Sequence, residues 1–340
     1  MSRSRLILLA LGIALSAAAV VLLIRSIDFS AAMRALGRAS PGWVVAGTLV
    51  TVLGYYLRAL RWREILAPRT QPSVGRLFSA TMVGFLAINT LPARLGELVR
   101  AYVLARTERI PTATVLGSLA VERILDIAML GIFWALSLLV APIPDWFRWS
   151  GYVTIGLGVA IGLVLWGLHV TRGHSTRWSE GRLFALLPKR LGGALSKGIP
   201  AFGAGLQVFG RPTLMAKAAA WSIVAWVVSA TVFLLVGLSL GLRVPVGAIF
   251  LLTFVVCLGI SLPSSPGFIG VMEGACVMGL SIFGIGGPEA LAFAILYHVT
   301  QLLPPLVLGT YFVFKQHLTP DLIRVGEGAD GEVVRKKRRQ

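Results

Sequence analysis

Three stretches of the 340-residue chain set ionisable side chains at helical spacing inside apolar sequence. In Arg94-x-Gly96-Glu97-x-x-Arg100 the charges recur every three residues, so Glu97 and Arg100 share a helix face with Arg94 on the same stripe. In Glu122-Arg123-x-x-Asp126 the carboxylates lie four apart on one face, with Arg123 in local reach of Asp126. In Pro263-Ser264-Ser265-Pro266-Gly267-Phe-Ile-Gly270-x-x-Glu273 a break rich in Pro and Gly offers two hydroxyls, then one acid without a local basic partner. Guanidinium forks match phosphate oxygens bidentately. A helix restarting after Asn89-Thr-Leu-Pro92 would add its positive N-terminal end, so the first stretch suits an anion. The carboxylates suit charge balance or proton exchange, although a complete pairing of Glu122, Arg123 and Asp126 needs no ligand.

His298, with Gln301 three residues later on the same face, can extend a polar relay; a histidine satisfied by its own bundle is the plain alternative. Arg58-x-x-Arg61-Trp62 reads as a basic and aromatic anchor at a membrane interface, with phosphate capture by Arg61 as the alternative. No metal-ligand histidine pair, Walker loop or nucleophile elbow occurs, so no cofactor, metal or ATP-driven chemistry is expected of this chain. Cys257 and Cys276 both sit in apolar segments and indicate neither a disulfide framework nor a metal knuckle.

Membrane helices must position these groups. The chain is 56% hydrophobic and 14% charged, against about 45–50% and about 25% for a soluble domain. Leu6 to Ile24, Ser150 to Val170, Ala218 to Leu242 and Ala290 to Phe314 contain no Asp, Glu, Lys or Arg. At about 1.5 Å per residue each crosses a hydrocarbon core of about 30 Å. Pro41 to Leu57 and Pro111 to Val140 add two more spans. The run after Arg3 and Arg5 reads as an uncleaved first span. Leu77 to Ala93 breaks at Pro92, and Val244 to Ile285 breaks at Pro263 and Pro266; both read as re-entrant helical hairpins.

The net charge of +18 fits cytoplasmic loops enriched in Lys and Arg, and nothing resembles a nucleic-acid module. With both termini cytoplasmic, about 26 basic residues lie inside and 5 outside, and Arg123 lies in the membrane. If Leu77 to Ala93 crossed fully, the basic loop from Arg172 to Lys217 would fall outside, so the re-entrant arrangement is preferred. The two broken regions share Leu-Pro-x-x-x-Gly at an offset of about 171 residues. Each half reads span, short amphipathic segment (Ile27 to Leu36; Ile199 to Phe209), span, hairpin, span. Three crossings per half make the second half inverted, the pattern of transporters whose interrupted helices meet at the midplane. The expected fold is an all-α polytopic protein with about six full spans and two re-entrant hairpins. Its membrane domain covers 1–315, in halves of about 1–145 and 146–315, followed by a basic cytoplasmic tail, 316–340.

At these residues the chain resembles the transmembrane region of lysylphosphatidylglycerol synthases, a flippase-like family that also exists as stand-alone proteins. The matching pieces are Arg58-x-x-Arg61-Trp62, Asn89-x-x-Pro92-x-Arg94-x-Gly96-Glu97-x-x-Arg100, Val121-Glu122-Arg123-x-x-Asp126 and Pro263-x-x-Pro266-Gly267-x-x-Gly270-x-x-Glu273. The resemblance covers residues 5 to 315 and leaves out the soluble synthase domain, so synthase activity is not carried over. It implies a bundle in a cell membrane that moves a phospholipid or lipid-linked head group, anionic or aminoacylated, between leaflets. Arg61, Asn89, Arg94, Glu97, Arg100, Ser264, Ser265 and Gly267 are the expected head-group contacts. Glu122, Arg123, Asp126, Glu273 and His298 are the expected charge or proton relay. A membrane-embedded transferase on lipid-linked substrates, or a scaffold for a separate lipid-synthesising enzyme, stands as the alternative.

Overall fold

The computed structural model of the chain describes residues 3–91, 96–140, 143–170, 198–261 and 265–316, and every regular element among them is a helix. Pro92, Arg94, Pro263, Ser264, the loop 171–197 and the tail 317–340 lie outside the described residues. The chain begins with α1 (Arg3–Ser26), α2 (Phe29–Gly37), α3 (Pro41–Leu66), α4 (Val74–Thr90), α5 (Gly96–Glu108), α6 (Thr112–Val140) and α7 (Asp145–Val170). After a helical segment at 198–205 and a 3-10 turn at Gln207–Gly210 come α8 (Pro212–Ser239), α9 (Val246–Ser261), a 3-10 turn at Pro266–Phe268 and α10 (Val271–Ser281). The last run joins α11 (Gly287–Pro304), a π turn (Pro305–Gly309) and α12 (Thr310–Lys315). Pro304 and Pro305 lack the amide N–H that a regular ladder needs, and the wide turn falls at that point.

Five helical runs, α3, α6, α7, α8 and Gly287–Lys315, are long and apolar enough to cross a membrane. The end of α1 meets α2 at 88°, and this bent pair would make a sixth. Asp28 sets the corner, its carboxylate accepting the Ala31 N–H at 3.0 Å and the Ser30 hydroxyl at 2.7 Å to cap α2. α4 and α9, with 17 and 16 residues, reach about 24–26 Å, short of a full crossing of about 30 Å. Large apolar side chains stand exposed on the outer faces, Leu139 at 80% and Trp149 at 69%, as lipid-facing positions do. The chain is a multi-span, all-helical membrane protein.

Each short helix packs on a partner, α4 on α5 and α9 on α10, while α3 runs along α8. Gly84 and Gly96 permit the first of these approaches: a Cβ on Gly96 would collide with the Gly84 carbonyl oxygen and with Ile88. Two apolar cores result. Trp62, Leu77, Val99 and Leu119 belong to one, built on α3 to α6. Phe133, Phe233, Phe254 and Phe293 belong to the other, on α8, α9 and α11 with the far end of α6.

The anchor reading of Arg61 and Trp62 is corrected by this packing. α3 continues past Leu57 to Leu66, and both side chains are fully buried, at 0% exposure. An interfacial pair would face head groups. Here α6 packs on α3 and Arg100 of α5 lies over the Trp62 ring, while the acids of α6 take Arg61 as a partner in the same layer.

Candidate functional site

Three helices contribute to one buried ion cluster. Arg61 of α3 donates to Asp126 Oδ1 at 2.6 Å and lies 3.2 Å from Glu122 Oε1, both on α6. Arg100 of α5 grips Glu122 as a fork, at 2.7 Å to Oε1 and 3.2 Å to Oε2. Arg123 reaches Glu122 at 3.0 Å, Asp126 at 3.2 Å and Glu97 at 3.6 Å, and Arg58 stands 3.8 Å from Asp126. Trp226 of α8 and Ser222 complete the layer, the indole N–H donating to Asp126 at 3.0 Å and Arg61 donating to the Ser222 hydroxyl at 3.3 Å.

Aromatic rings supply what the acids do not. The Arg100 guanidinium lies 3.9 Å above Trp62, whose own N–H donates to the Ser118 hydroxyl at 3.0 Å. Arg58 lies 5.2 Å from the Trp226 ring. Four guanidiniums, of Arg58, Arg61, Arg100 and Arg123, thus face three carboxylates, of Glu97, Glu122 and Asp126. Among the described residues, one positive charge of this cluster is left over. In a low-dielectric interior an uncompensated charge is expensive, so the cluster is electrostatically prepared for an anion.

Beside the cluster lies a cavity of about 380 Å³. Arg58, Arg123, Asp126 and Glu97 form its charged wall, and Asn89, Ser261, His298 and Gln301 add polar groups elsewhere. Apolar residues of α3, α4, α8, α9 and α11 line the rest. Arg123 is the exposed edge of the cluster, its side chain 45% accessible, whereas Arg61 is at 0% and Arg100 at 2%. The ends of the two short-helix pairs meet here. α4 contacts the 3-10 turn Pro266–Phe268, and a Cβ on Gly267 would lie 3.7 Å from the Asn89 carbonyl oxygen. Asn89 donates to the Phe85 carbonyl at 2.8 Å.

A second polar pair involves His298 of the cavity lining. His298 Nδ1 lies 2.5 Å from Glu273 Oε1, and Glu273 Oε2 accepts the Gly270 N–H at 2.7 Å. Ser265 donates its N–H to the Ser16 hydroxyl of α1 at 2.9 Å. α1 passes so close that a Cβ on Gly270, whose φ is +84°, would stand 2.7 Å from the Ser16 carbonyl oxygen. Among the described residues, Arg61 Nε, Glu97 Oε2, Arg100 Nε, Ser265 Oγ and His298 Nε2 are buried without a hydrogen-bond partner.

Of the residues selected from the sequence, Asn89, Glu97, Arg123, Asp126 and His298 line the cavity. Arg61, Arg100 and Glu122 lie behind its wall, Ser265 and Gly267 in the adjoining turn, and Glu273 reaches the wall through His298. Arg94 and Ser264 fall outside the described residues. Glu97 and Arg100 each reach across to α6, and His298 pairs with Glu273 while Gln301 donates to the Thr51 hydroxyl at 3.2 Å. Trp226 and Ser222 carry no signal in the sequence beyond being polar atoms in an apolar run, and Trp62 stands out only as part of an interfacial anchor.

Residues 9–309 match the family model described as the lysylphosphatidylglycerol synthase TM region. The chain is 28% identical over 335 residues to glycosyltransferase AglD of Haloferax volcanii, covering 88% of this chain and 53% of that protein. It thus spans about half the length of that relative. It is 24% identical over 324 residues to the UPF0104 membrane protein of Methanothermobacter thermautotrophicus, covering 87% of this chain and 91% of that one.

Proposed function

Because the chain belongs to the lysylphosphatidylglycerol synthase transmembrane region family, we propose that it is a lipid translocator, moving a phospholipid or lipid-linked head group between leaflets. One observation carries the reading: an apolar bundle keeps a cavity of about 380 Å³ with Arg58, Arg123, Glu97 and Asp126 in its wall, backed by a cluster in which, among the described residues, four guanidiniums face three carboxylates. Arg58 and Arg123 bind the anionic group, Asn89 and the turn at Gly267 border it, and acyl chains stay in lipid. Arg61, Arg100 and Glu122 position the wall. Membrane lipids are the partners of this reading, with anionic or aminoacylated head groups as cargo.

The two pairs of short helices act as re-entrant hairpins of an inverted repeat, with N- and C-termini cytoplasmic. The offset of 171 residues supports the repeat: it brings Trp62, Glu122 and Asp126 onto Phe233, Phe293 and Tyr297. Those three rings stack, with Phe233 4.2 Å from Tyr297 and 6.3 Å from Phe293, where the first half holds its ion cluster. α3 and α8, equivalent in this scheme, run along each other. Charge on one wall and rings on the other suit a cargo with a charged head and a greasy body.

The test is the purified protein in liposomes with head-group-labelled phosphatidylglycerol. Exchange between leaflets should exceed that of empty vesicles and fall in Arg123→Ala. No acceleration for any anionic or aminoacylated lipid overturns the reading. A transferase on lipid-linked substrates is the second reading, favoured by the word glycosyltransferase in the name of one relative. It requires product formation in detergent, where a translocator has no turnover. A scaffold for a separate lipid-modifying enzyme would keep its function when Glu97 and Glu273 are neutralised.

A further inference from the structure

Binding an anion explains the arginine wall and leaves Glu273 and His298 without a task. Their geometry differs from that of the cluster. Glu122 is shared by Arg61, Arg100 and Arg123, and Asp126 by Arg58, Arg61 and Arg123, so protonating either acid strands buried guanidiniums that do not themselves titrate. The cluster is a set of fixed ions. Glu273, by contrast, meets one imidazole and one backbone N–H.

The carboxylate at Nδ1 sets the tautomer. With Nδ1–H donating to Glu273, the neutral ring presents a bare Nε2 lone pair, and Nε2 is buried without a hydrogen-bond partner in a side chain that lines the cavity. The ionisable groups around it are Tyr55 and Arg58 on α3, Glu97 on α5, Arg123 and Asp126 on α6, Cys257 on α9, Cys276 on α10 and Tyr297 on α11. α4 and α8 contribute Asn89, Trp226 and Ser229, and α1 contributes Ser16, none of them titratable. Arginine stays charged, the acids Glu97 and Asp126 are held by arginines, and tyrosine and cysteine are ordinarily neutral near pH 7. Histidine is the side-chain type that ordinarily exchanges a proton near neutral pH, and His298 is the histidine that lines this cavity. Glu273 also ties it to the Gly270 turn, which α1 holds in place and which adjoins the meeting point at Asn89.

We propose that His298, held by Glu273, is the proton-binding site of the translocation cycle. This rests on the lipid-translocator reading. As an anionic head group enters the cavity, Nε2 takes a proton from a hydronium ion supplied by the solvent, an O–H bond breaking and water being released as the N–H bond forms, while Nδ1 keeps its proton and donates to Glu273; when the head group leaves, the Nε2–H bond breaks and the proton returns to water as hydronium. Cargo and proton then raise each other's affinity by the same factor.

Two measurements decide it. In the first, the full chain with 15N-labelled histidine is placed in nanodiscs of phosphatidylcholine alone or mixed with phosphatidylglycerol. His298, one of four histidines, is assigned by the signal missing from His298→Gln. Its titration midpoint should rise with phosphatidylglycerol, by at least about threefold in proton affinity, and should fall in Glu273→Gln, which keeps the ring and loses the anion. A midpoint indifferent to the lipid, or a ring that does not titrate between about pH 5 and 8, overturns the proposal. The second measurement is lipid exchange in liposomes as a function of pH. Wild type should vary with pH and His298→Gln should give a flat profile. Exchange that is equally flat in wild type overturns the proton site and leaves translocation standing. Absence of exchange overturns translocation, and the nanodisc titration still decides whether lipid and proton bind together.

Discussion

The Arg61 guanidinium donates to Asp126 at 2.6 Å and lies 3.2 Å from Glu122, so one side chain of α3 ties down both acids of α6. Breaking such a pair leaves a charge without its partner inside the bundle. Arg61→Ala should lower stability in nonionic detergent by about 3–5 kcal/mol, the range for an orphaned buried charge. Arg61→Lys should recover little, since one ammonium cannot fork between two carboxylates. Thermal unfolding of the three proteins measures this, and a near-zero loss for Arg61→Ala would show that Arg100 and Arg123 suffice.

Arg58 lies over Trp226, which supplies a native reporter for cavity occupancy. Short-chain phosphatidylglycerol should perturb tryptophan emission. Removing a hydrogen bond to a charged group costs about 1.5–3 kcal/mol, so Arg58→Ala and Arg123→Ala should each weaken binding by about 10- to 100-fold. Equal affinity in all three proteins would place the lipid elsewhere.

The two native thiols differ in access: Cys257 lines the cavity and Cys276 is fully buried, at 0% exposure. A small charged methanethiosulfonate should label Cys257 and spare Cys276, and phosphatidylglycerol should slow the labelling. Mass spectrometry locates the adduct. Labelling of Cys276 at the same rate would contradict the described packing.

Gly270 combines a φ of +84° with a close approach to Ser16 and Val20 of α1. Gly270→Ala adds strain and a clash together, and strain of this kind costs about 1–3 kcal/mol. A lowered melting temperature is expected, with faster proteolysis near the start of the chain as α1 loosens. Gly274→Ala, where a Cβ meets nothing within 4 Å, is the matched control.

The spans were legible because an uncharged run of that length has few other uses. The acids and arginines also stood out, since charge is rare in such sequence. What linked them was not legible. Glu122 and Asp126 read as a local triplet with Arg123, whereas their strongest partners, Arg61 and Arg100, sit 61 to 65 and 22 residues away in sequence and reach them only once α3, α5 and α6 are packed. Glu273 read as an acid without a base for the same reason, because a partner 25 residues downstream is invisible to helical periodicity. Arg61 and Trp62 imitated an interfacial anchor, a pattern shared by any basic and aromatic pair near a span's end.

Arg123, at 45% side-chain exposure, sits at the edge of the cavity, in a bundle whose outer surface must be coated by amphiphile once it leaves the bilayer. Surfactant heads therefore reach the same guanidinium that cargo would. On the proposed role of Arg123, a sulfate- or carboxylate-headed surfactant would compete with cargo for it, and a maltoside would not. Extraction chemistry thus sets the occupancy with which every binding assay on this protein begins.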